Sequence, residues 1–239
     1  LALQQALVDD GRGLLHLARG GWRDALAAFE SARRRYEALA LPQYLAVVER
    51  QLADVYLELR LLPEALALAG AAVAQFRTLG LAVEQAWALK QQGLAQALLG
   101  QPAADASLAE AAALFEAQGN VYGRATVALA RAELSLARGD APRAEALAAA
   151  AAQGFGQAGH AAASLRAETV LAEALLTLRD PAAQALFAST LEAAREMQLA
   201  AVQTRCLAGL GELALAAGDM VAATAEFDAA IELFETQRA

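Results

Sequence analysis

Apolar side chains recur along this chain at offsets of four, seven and eleven from a series of alanines, the spacing that keeps residues on one face of an α-helix. The anchors are Ala25, Ala65, Ala104, Ala144, Ala183 and Ala223, at intervals of 40, 39, 40, 39 and 40 residues. Four positions later stand Phe29, Ala69, Leu108, Ala148, Phe187 and Phe227. Seven later come Ala32, Ala72, Ala111, Ala151, Thr190 and Ala230, and eleven later Tyr36, Phe76, Phe115, Phe155, Ala194 and Phe234. This stripe is expected to be buried. Upstream of each anchor lies a second helical stretch with a small residue at its centre: Gly13, Ala53, Gly93, Ala132, Ala172 and Gly211. A residue without bulk there lets a paired helix approach closely. Short breakers such as Gly20-Gly21, Pro63, Gly139-Asp140-Ala141-Pro142 and Gly218-Asp219 separate the two stretches. Glycine stops a helix and proline fits the first turn of the next, so the pattern predicts six helical hairpins.

Composition agrees. Of 239 residues, 68 are Ala and 42 Leu, against 11 Val and one Ile, with aromatics at 5%. The strongest helix formers dominate and the residues that suit a pleated surface are scarce, so an all-α chain is expected. Although hydrophobic content reaches 58%, much of it is alanine. No stretch of about 20 large apolar residues remains to span a bilayer. A net charge of −8 disfavours nucleic acid and anionic membranes as partners, because both require a basic surface. With Cys206 as the lone cysteine and two histidines, neither a disulfide framework nor a metal cluster is expected, and the setting is read as reducing and cytoplasmic. The chain opens on Leu1 and stops inside a helical pattern, as an excised piece of a longer protein would.

The helix–turn–helix unit, with Gly or Ala, Ala, Phe and Ala at these offsets, resembles the tetratricopeptide repeat over essentially the whole chain. Trp22 falls where that family usually places an aromatic just after the turn, and Tyr56 matches its usual first-helix tyrosine. The resemblance implies a single right-handed α-solenoid of about six hairpins, with units 1–40, 41–80, 81–119, 120–159, 160–198 and 199–239. Two departures stand out. The period is near 40 where the family's is 34, which should lengthen the helices and alter the curvature. The proline that closes the family's second helix is also missing from most units, Pro42 alone standing after the first. Such units cannot bury their apolar faces alone and are stabilised by stacking. The final helix is expected to leave Phe227, Ile231 and Phe234 uncovered, to be met by further chain or by a second copy in a homo-oligomer.

Candidate chemistry is sparse. Cys206 invites a nucleophile reading with His160 as its base, but a small buried packing residue is the simpler role. His16, facing Trp22 across a helix end, reads as a packed edge residue. The run Gly154-Phe155-Gly156-Gln157-Ala158-Gly159 echoes a dinucleotide loop, yet it closes a helix where that fingerprint must open one. Carboxylates such as Glu110, Glu116, Glu145, Glu192 and Glu232 and the basic run Arg33-Arg34-Arg35 read as solvated faces. No catalytic residue, metal ligand or cofactor is assigned.

Solenoids of this kind act through the concave surface lined by their first helices. Counting three and six before the central small residue, and one and four after it, places a candidate partner-binding groove at Arg50, Asp54, Trp87, Lys90, Glu133, Arg166, Glu173, Arg205 and Glu212. Asp10, Leu57, Leu94, Thr126, Leu129 and Thr169 fall in the same register. The charges either meet a protein or peptide partner, with Trp87 as an aromatic anchor, or pair with one another across adjacent helices. Clamping of a partner's C-terminal carboxylate, as in chaperone-binding members, needs asparagines, and this chain has one, Asn120. The period, the Ala/Leu content and the ending Ala-Ala-Ile-Glu-Leu-Phe-Glu-Thr-Gln-Arg-Ala resemble bacterial proteins that join such arrays to a caspase-like CHAT protease domain. That resemblance implies a non-catalytic interaction and regulatory scaffold attached to, or controlling, an effector. The alternative is a ligand- or peptide-sensing domain of a bacterial transcription regulator.

Overall fold

The computed structural model describes residues 1–236, and these form twelve α-helices with no strand. The helices are α1 (Ala2–Ala18), α2 (Trp22–Ala38), α3 (Pro42–Glu58), α4 (Leu62–Leu79), α5 (Ala82–Leu98), α6 (Ala104–Ala117), α7 (Val121–Ala137), α8 (Ala141–Gln157), α9 (Ala161–Thr177), α10 (Ala182–Glu196), α11 (Ala200–Ala216) and α12 (Met220–Thr236). Two 17-residue helices and two short turns, as in α2 and α3, account for a period near 40. The chain is an all-α solenoid of helical hairpins. It divides into two compact units, Leu1–Asn120 with α1 to α6 and Val121–Ala239 with α7 to α12. Residues 237–239, which end the stretch likened to CHAT-linked arrays, lie outside the described residues.

Each junction is built the same way. One residue adopts a left-handed backbone: Gly20, Ala40, Arg60, Gly80, Gly100, Gly119, Gly139, Gly159, Arg179, Gln198 or Gly218. The next amide then turns back to a carbonyl in the last helical turn, as from Leu41 to Tyr36 at 3.0 Å and from Gly21 to His16 at 2.8 Å. These are the bonds that satisfy otherwise orphaned helix-end carbonyls. Prolines then start helices, Pro42 opening α3 and Pro63 and Pro142 lying in the first turns of α4 and α8. At the Gly-Asp turns the aspartate caps the next helix, with the Ala222 amide 3.0 Å from Asp219 Oδ1.

The alanine-anchored stripe forms the core. Ala25, Ala65, Ala104, Ala144, Ala183 and Ala223 are all buried, as are Tyr36, Phe76, Phe115 and Phe155 eleven positions on. Each fully buried aromatic contributes about 1.5–3 kcal/mol. In five of the six hairpins, the central small residue is matched in size to the residue four past the anchor. Glycine faces bulk, with Gly13 under Phe29, Gly93 under Leu108 and Gly211 under Phe227. Where Ala53 and Ala132 are central, the residues four past the anchor are Ala69 and Ala148, and all four are buried. In the fifth hairpin the counterpart is Phe187, whose ring lies against Gly209 of α11.

Stacking buries the outer faces in turn. In one cluster Phe29, Ala32 and Tyr36 of α2 meet Val48, Leu52 and Val55 of α3. In another, Leu191 of α10 joins Val202 and Cys206 of α11. At the last hairpin Ile231 and Phe234 are exposed, as expected. Phe227 departs from that expectation: its ring is half-buried over Gly211 of its own hairpin, because a second-helix residue four past the anchor faces the first helix.

Candidate functional site

First helices touch along each stack, α3 with α5, α7 with α9 and α9 with α11. Second helices are held further apart, bridged by long side chains such as Arg77, whose Nη2 lies 2.9 Å from Glu110 Oε1. The first helices therefore line the inner side of each unit, and their half-exposed polar residues form two candidate surfaces.

In the second unit a charged network crosses three helices. Arg205 of α11 donates from Nε to Glu173 Oε1 at 2.8 Å and from Nη2 to Glu173 Oε2 at 2.6 Å, a two-pronged bond to α9. Its Nη1 stands 3.7 Å from Glu133 Oε1 of α7. Burial works to lower the Arg205 pKa, but the hydrogen bonds and charge of Glu173, then Glu133, outweigh it and the net shift is upward. The sequence arithmetic brings these three together because Glu133 and Glu173 stand one after their central alanines and Arg205 six before its glycine. Arg166 and Glu212, the other expected groove residues of this unit, are exposed. Two acids against one arginine leave the cluster with a net negative charge.

Beneath it the groove register fails. Thr169 and Leu129, three before their central alanines, are buried. The Thr169 hydroxyl donates to Leu165 O at 2.8 Å and lies 3.7 Å from Cys206 Sγ. Burial pushes the Cys206 thiol pKa up, opposite to what a nucleophilic thiolate needs. His160 is elsewhere, its ring 4.4 Å from that of Tyr122. The structure thus separates the two residues of the nucleophile reading.

The first unit presents a different surface. Arg50 and Asp54 pair along α3 at 3.8 Å. Asp10 of α1 is half-buried and accepts from the Tyr36 hydroxyl at 3.4 Å. Burial raises the Asp10 pKa, only partly opposed by hydrogen bonds from Gln51 and Tyr36 and by the charge of Arg50. Tyr36 is in turn pushed up to about 12 by burial and by the Asp10 carboxylate. Gln51 was not among the expected groove residues. Its signal was a glutamine two before the central residue of an otherwise apolar stripe, repeated at Gln91, and both are buried.

Trp87, expected as an aromatic anchor, packs edge-on against Phe115 at a centroid distance of 4.8 Å. Lys90 Nζ lies 5.7 Å above its ring, within cation–π range. Trp87 is thus half-buried between Phe115 and Lys90. The Arg33-Arg34-Arg35 run is also more engaged than a solvated face: Arg35 Nε bonds Asp9 at 3.0 Å and Arg33 Nη2 pairs with Glu30 at 3.1 Å, while Arg34 is exposed. His16 sits at a helix edge, Nδ1 3.9 Å from Asp24. The glycine run closes α8, as its position implied. Among the described residues no group of three His, Cys, Asp or Glu could hold a metal ion, and no helix is long and apolar enough to cross a membrane.

Stacked hairpins with inward-facing first helices define a TPR-like helical-repeat fold. No protein-family model matches the sequence, and no curated protein matches it. Solved structures do. A Rap protein complexed with competence and sporulation factor superposes with a TM-score of 0.84 at 17% identity, over 98% of this chain and 66% of that one. The Rap conjugation gene regulator of plasmid pLS20, in complex with the Phr* peptide, gives 0.72 at 12% identity, over 96% and 74% of the two chains. A putative kinesin light chain of Podospora anserina with TPR-like repeats gives 0.64 at 15% identity, over 83% and 98%. The chain thus spans about two thirds of the Rap protein's length. At these identities the likeness establishes the fold.

Proposed function

We propose that this chain is a non-catalytic regulatory module that captures a peptide or protein segment along its first helices. The observation that carries this reading is the Glu133–Arg205–Glu173 network, a half-exposed charged surface assembled from three consecutive first helices. Arg205 is already held by two carboxylates, which leaves an acidic surface suited to lysine or arginine side chains of a partner. Two solved structures of the same fold carry a bound signalling factor or peptide, which supports peptide capture over the binding of small metabolites.

Two assignments of that module compete. One is a scaffold attached to, or controlling, an effector such as a CHAT protease, resting on the resemblance of the terminal stretch. The other is the peptide-sensing part of a bacterial transcription regulator, favoured by the gene regulator found with its peptide. Thermal shift separates capture from its absence. A library of basic and acidic peptides should contain basic members that raise the melting temperature as their concentration passes Kd, with metabolites inert. Charge reversal at Glu133 and Glu173 should abolish that rise while leaving helicity intact. Peptide binding undiminished by the reversal would reject this surface.

A further inference from the structure

Two rows of residues run between the helices of the hairpins, and in the sixth both change character. Three after the centre of the first helix stand His16, Tyr56, Gln96, Ser135 and Leu175, and then Ala214. Three past the anchor of the second helix stand Ala28, Leu68, Ser107, Leu147 and Leu186, and then Glu226. The rows meet in the third hairpin, where Ser107 Oγ donates to Gln96 Oε1 at 2.8 Å, and in the fifth, where Leu175 and Leu186 share one core cluster. Tyr56 extends from its row to the preceding second helix, its hydroxyl 3.5 Å from Glu30 Oε1. These side chains therefore fill the space between successive second helices. In the sixth hairpin the filling residue is cut back to a methyl group and the facing one is a carboxylate.

A cleft of about 420 Å³ results, bounded by Gln184 of α10, Leu210, Leu213 and Ala214 of α11, and Asp219 and Glu226 of α12. With α10 as one wall, it lies within the hairpin series. No lysine or arginine lines it. Asp219 gives Oδ1 to the Ala222 amide, and among the described residues neither carboxylate has a lysine or arginine nitrogen within 4 Å.

We propose that this cleft receives a lysine side chain of a partner protein. Leu210, Leu213 and Ala214 offer an apolar floor to the four-carbon stem, while Glu226 and Asp219 at the exposed rim meet the ammonium. The volume falls in the range of small binding pockets. The lysine comes from a partner because this chain's single lysine, Lys90, lies over Trp87 of its own helix. The site is distinct from the Glu133–Arg205–Glu173 surface, which is built on first helices alone.

Chemical-shift titration of the 239-residue chain with N-acetyl-lysine methylamide tests this. Saturating shifts are expected at the amides of Gln184, Leu213, Ala214 and Glu226, at the millimolar strength of a single side chain. N-acetyl-norleucine methylamide, which keeps the stem and loses the ammonium, should bind about threefold more weakly, and Glu226→Gln should weaken the lysine probe by a similar factor. Ala214→Leu, which restores the bulk found at Leu175, should abolish the shifts without lowering the melting temperature. Absence of saturating shifts at these amides overturns the proposal. So does a norleucine probe that binds as well as the lysine one, or lysine binding indifferent to Glu226→Gln or to Ala214→Leu. Charge reversal at Glu133 and Glu173 should leave this titration unchanged, so the cleft and the inner peptide surface stand or fall separately.

Discussion

The ring of Phe29 fills the space that a Cβ on Gly13 would occupy. This is the tightest form of a pattern seen in every hairpin but the fifth, in which the centre of a first helix and the position four past the anchor trade bulk against each other.

The rule makes opposite predictions for two glycines on one helix. Gly13→Ala must displace the Phe29 ring and should cost about 1–3 kcal/mol. Gly11→Ala meets nothing within 4 Å and should stabilise by about 0.5–1 kcal/mol through helix propensity. Urea unfolding of both variants checks this, and equal effects would refute the volume rule.

Four junctions hold non-glycine residues in the left-handed region: Ala40, Arg60, Arg179 and Gln198, at φ of 53° to 59°. That backbone is strained for an L side chain. Gln198→Gly and Arg60→Gly should each raise stability by about 0.5–1 kcal/mol, and Gly80→Ala should lower it by about 1 kcal/mol. Thermal melts decide the sign at each site.

Arg205 and Glu173 should be strongly coupled. A double-mutant cycle with Arg205→Met and Glu173→Gln is expected to give about 1–2 kcal/mol, because the bond is two-pronged and half-buried. The more exposed Arg77–Glu110 pair should give below about 0.5 kcal/mol. Similar values for both would show that the inner network has no special standing.

Alkaline pH should probe Tyr36. Its folded pKa of about 12 lies above the ordinary 10.0. The unfolded chain therefore ionises first, so the tyrosine's contribution is intact below about 10 and is lost as pH rises toward 12. Phenolate absorbance should show a late-titrating tyrosine, and Tyr36→Phe should flatten the alkaline fall in stability. A Tyr36 that titrates with the exposed tyrosines would contradict this.

The fold was legible because each hairpin writes its buried face with spacing alone: six alanines at steady intervals and aromatics eleven positions on. The inner surface was less legible. Glu133, Glu173 and Arg205 fell at counted offsets and do face one another, but the count could not show that Arg205 would turn both prongs to Glu173. It also placed Thr169 and Leu129 in the groove, although a position three before the central residue lies at the border between groove and core, where small lateral shifts decide exposure. Nor could the count show what Trp87 touches. The ring sits on a groove-facing offset, yet an aromatic of that size reaches across to Phe115. The pairing of glycine with bulk and alanine with alanine was present in the sequence all along, visible only when the two helices of a hairpin are set side by side.

The left-handed residues at positions 20, 40, 60, 80, 100, 119, 139, 159, 179, 198 and 218 divide the chain into segments of near-equal length. Helix length therefore says nothing about which side of the stack a segment faces; side chains alone carry that information. Excising residues 41–80 would join α2 to α5 with every remaining segment still on its proper side, whereas excising half as much would turn all downstream segments inside out. Genetic gain or loss in such a chain is tolerable in pairs of segments and ruinous in singles.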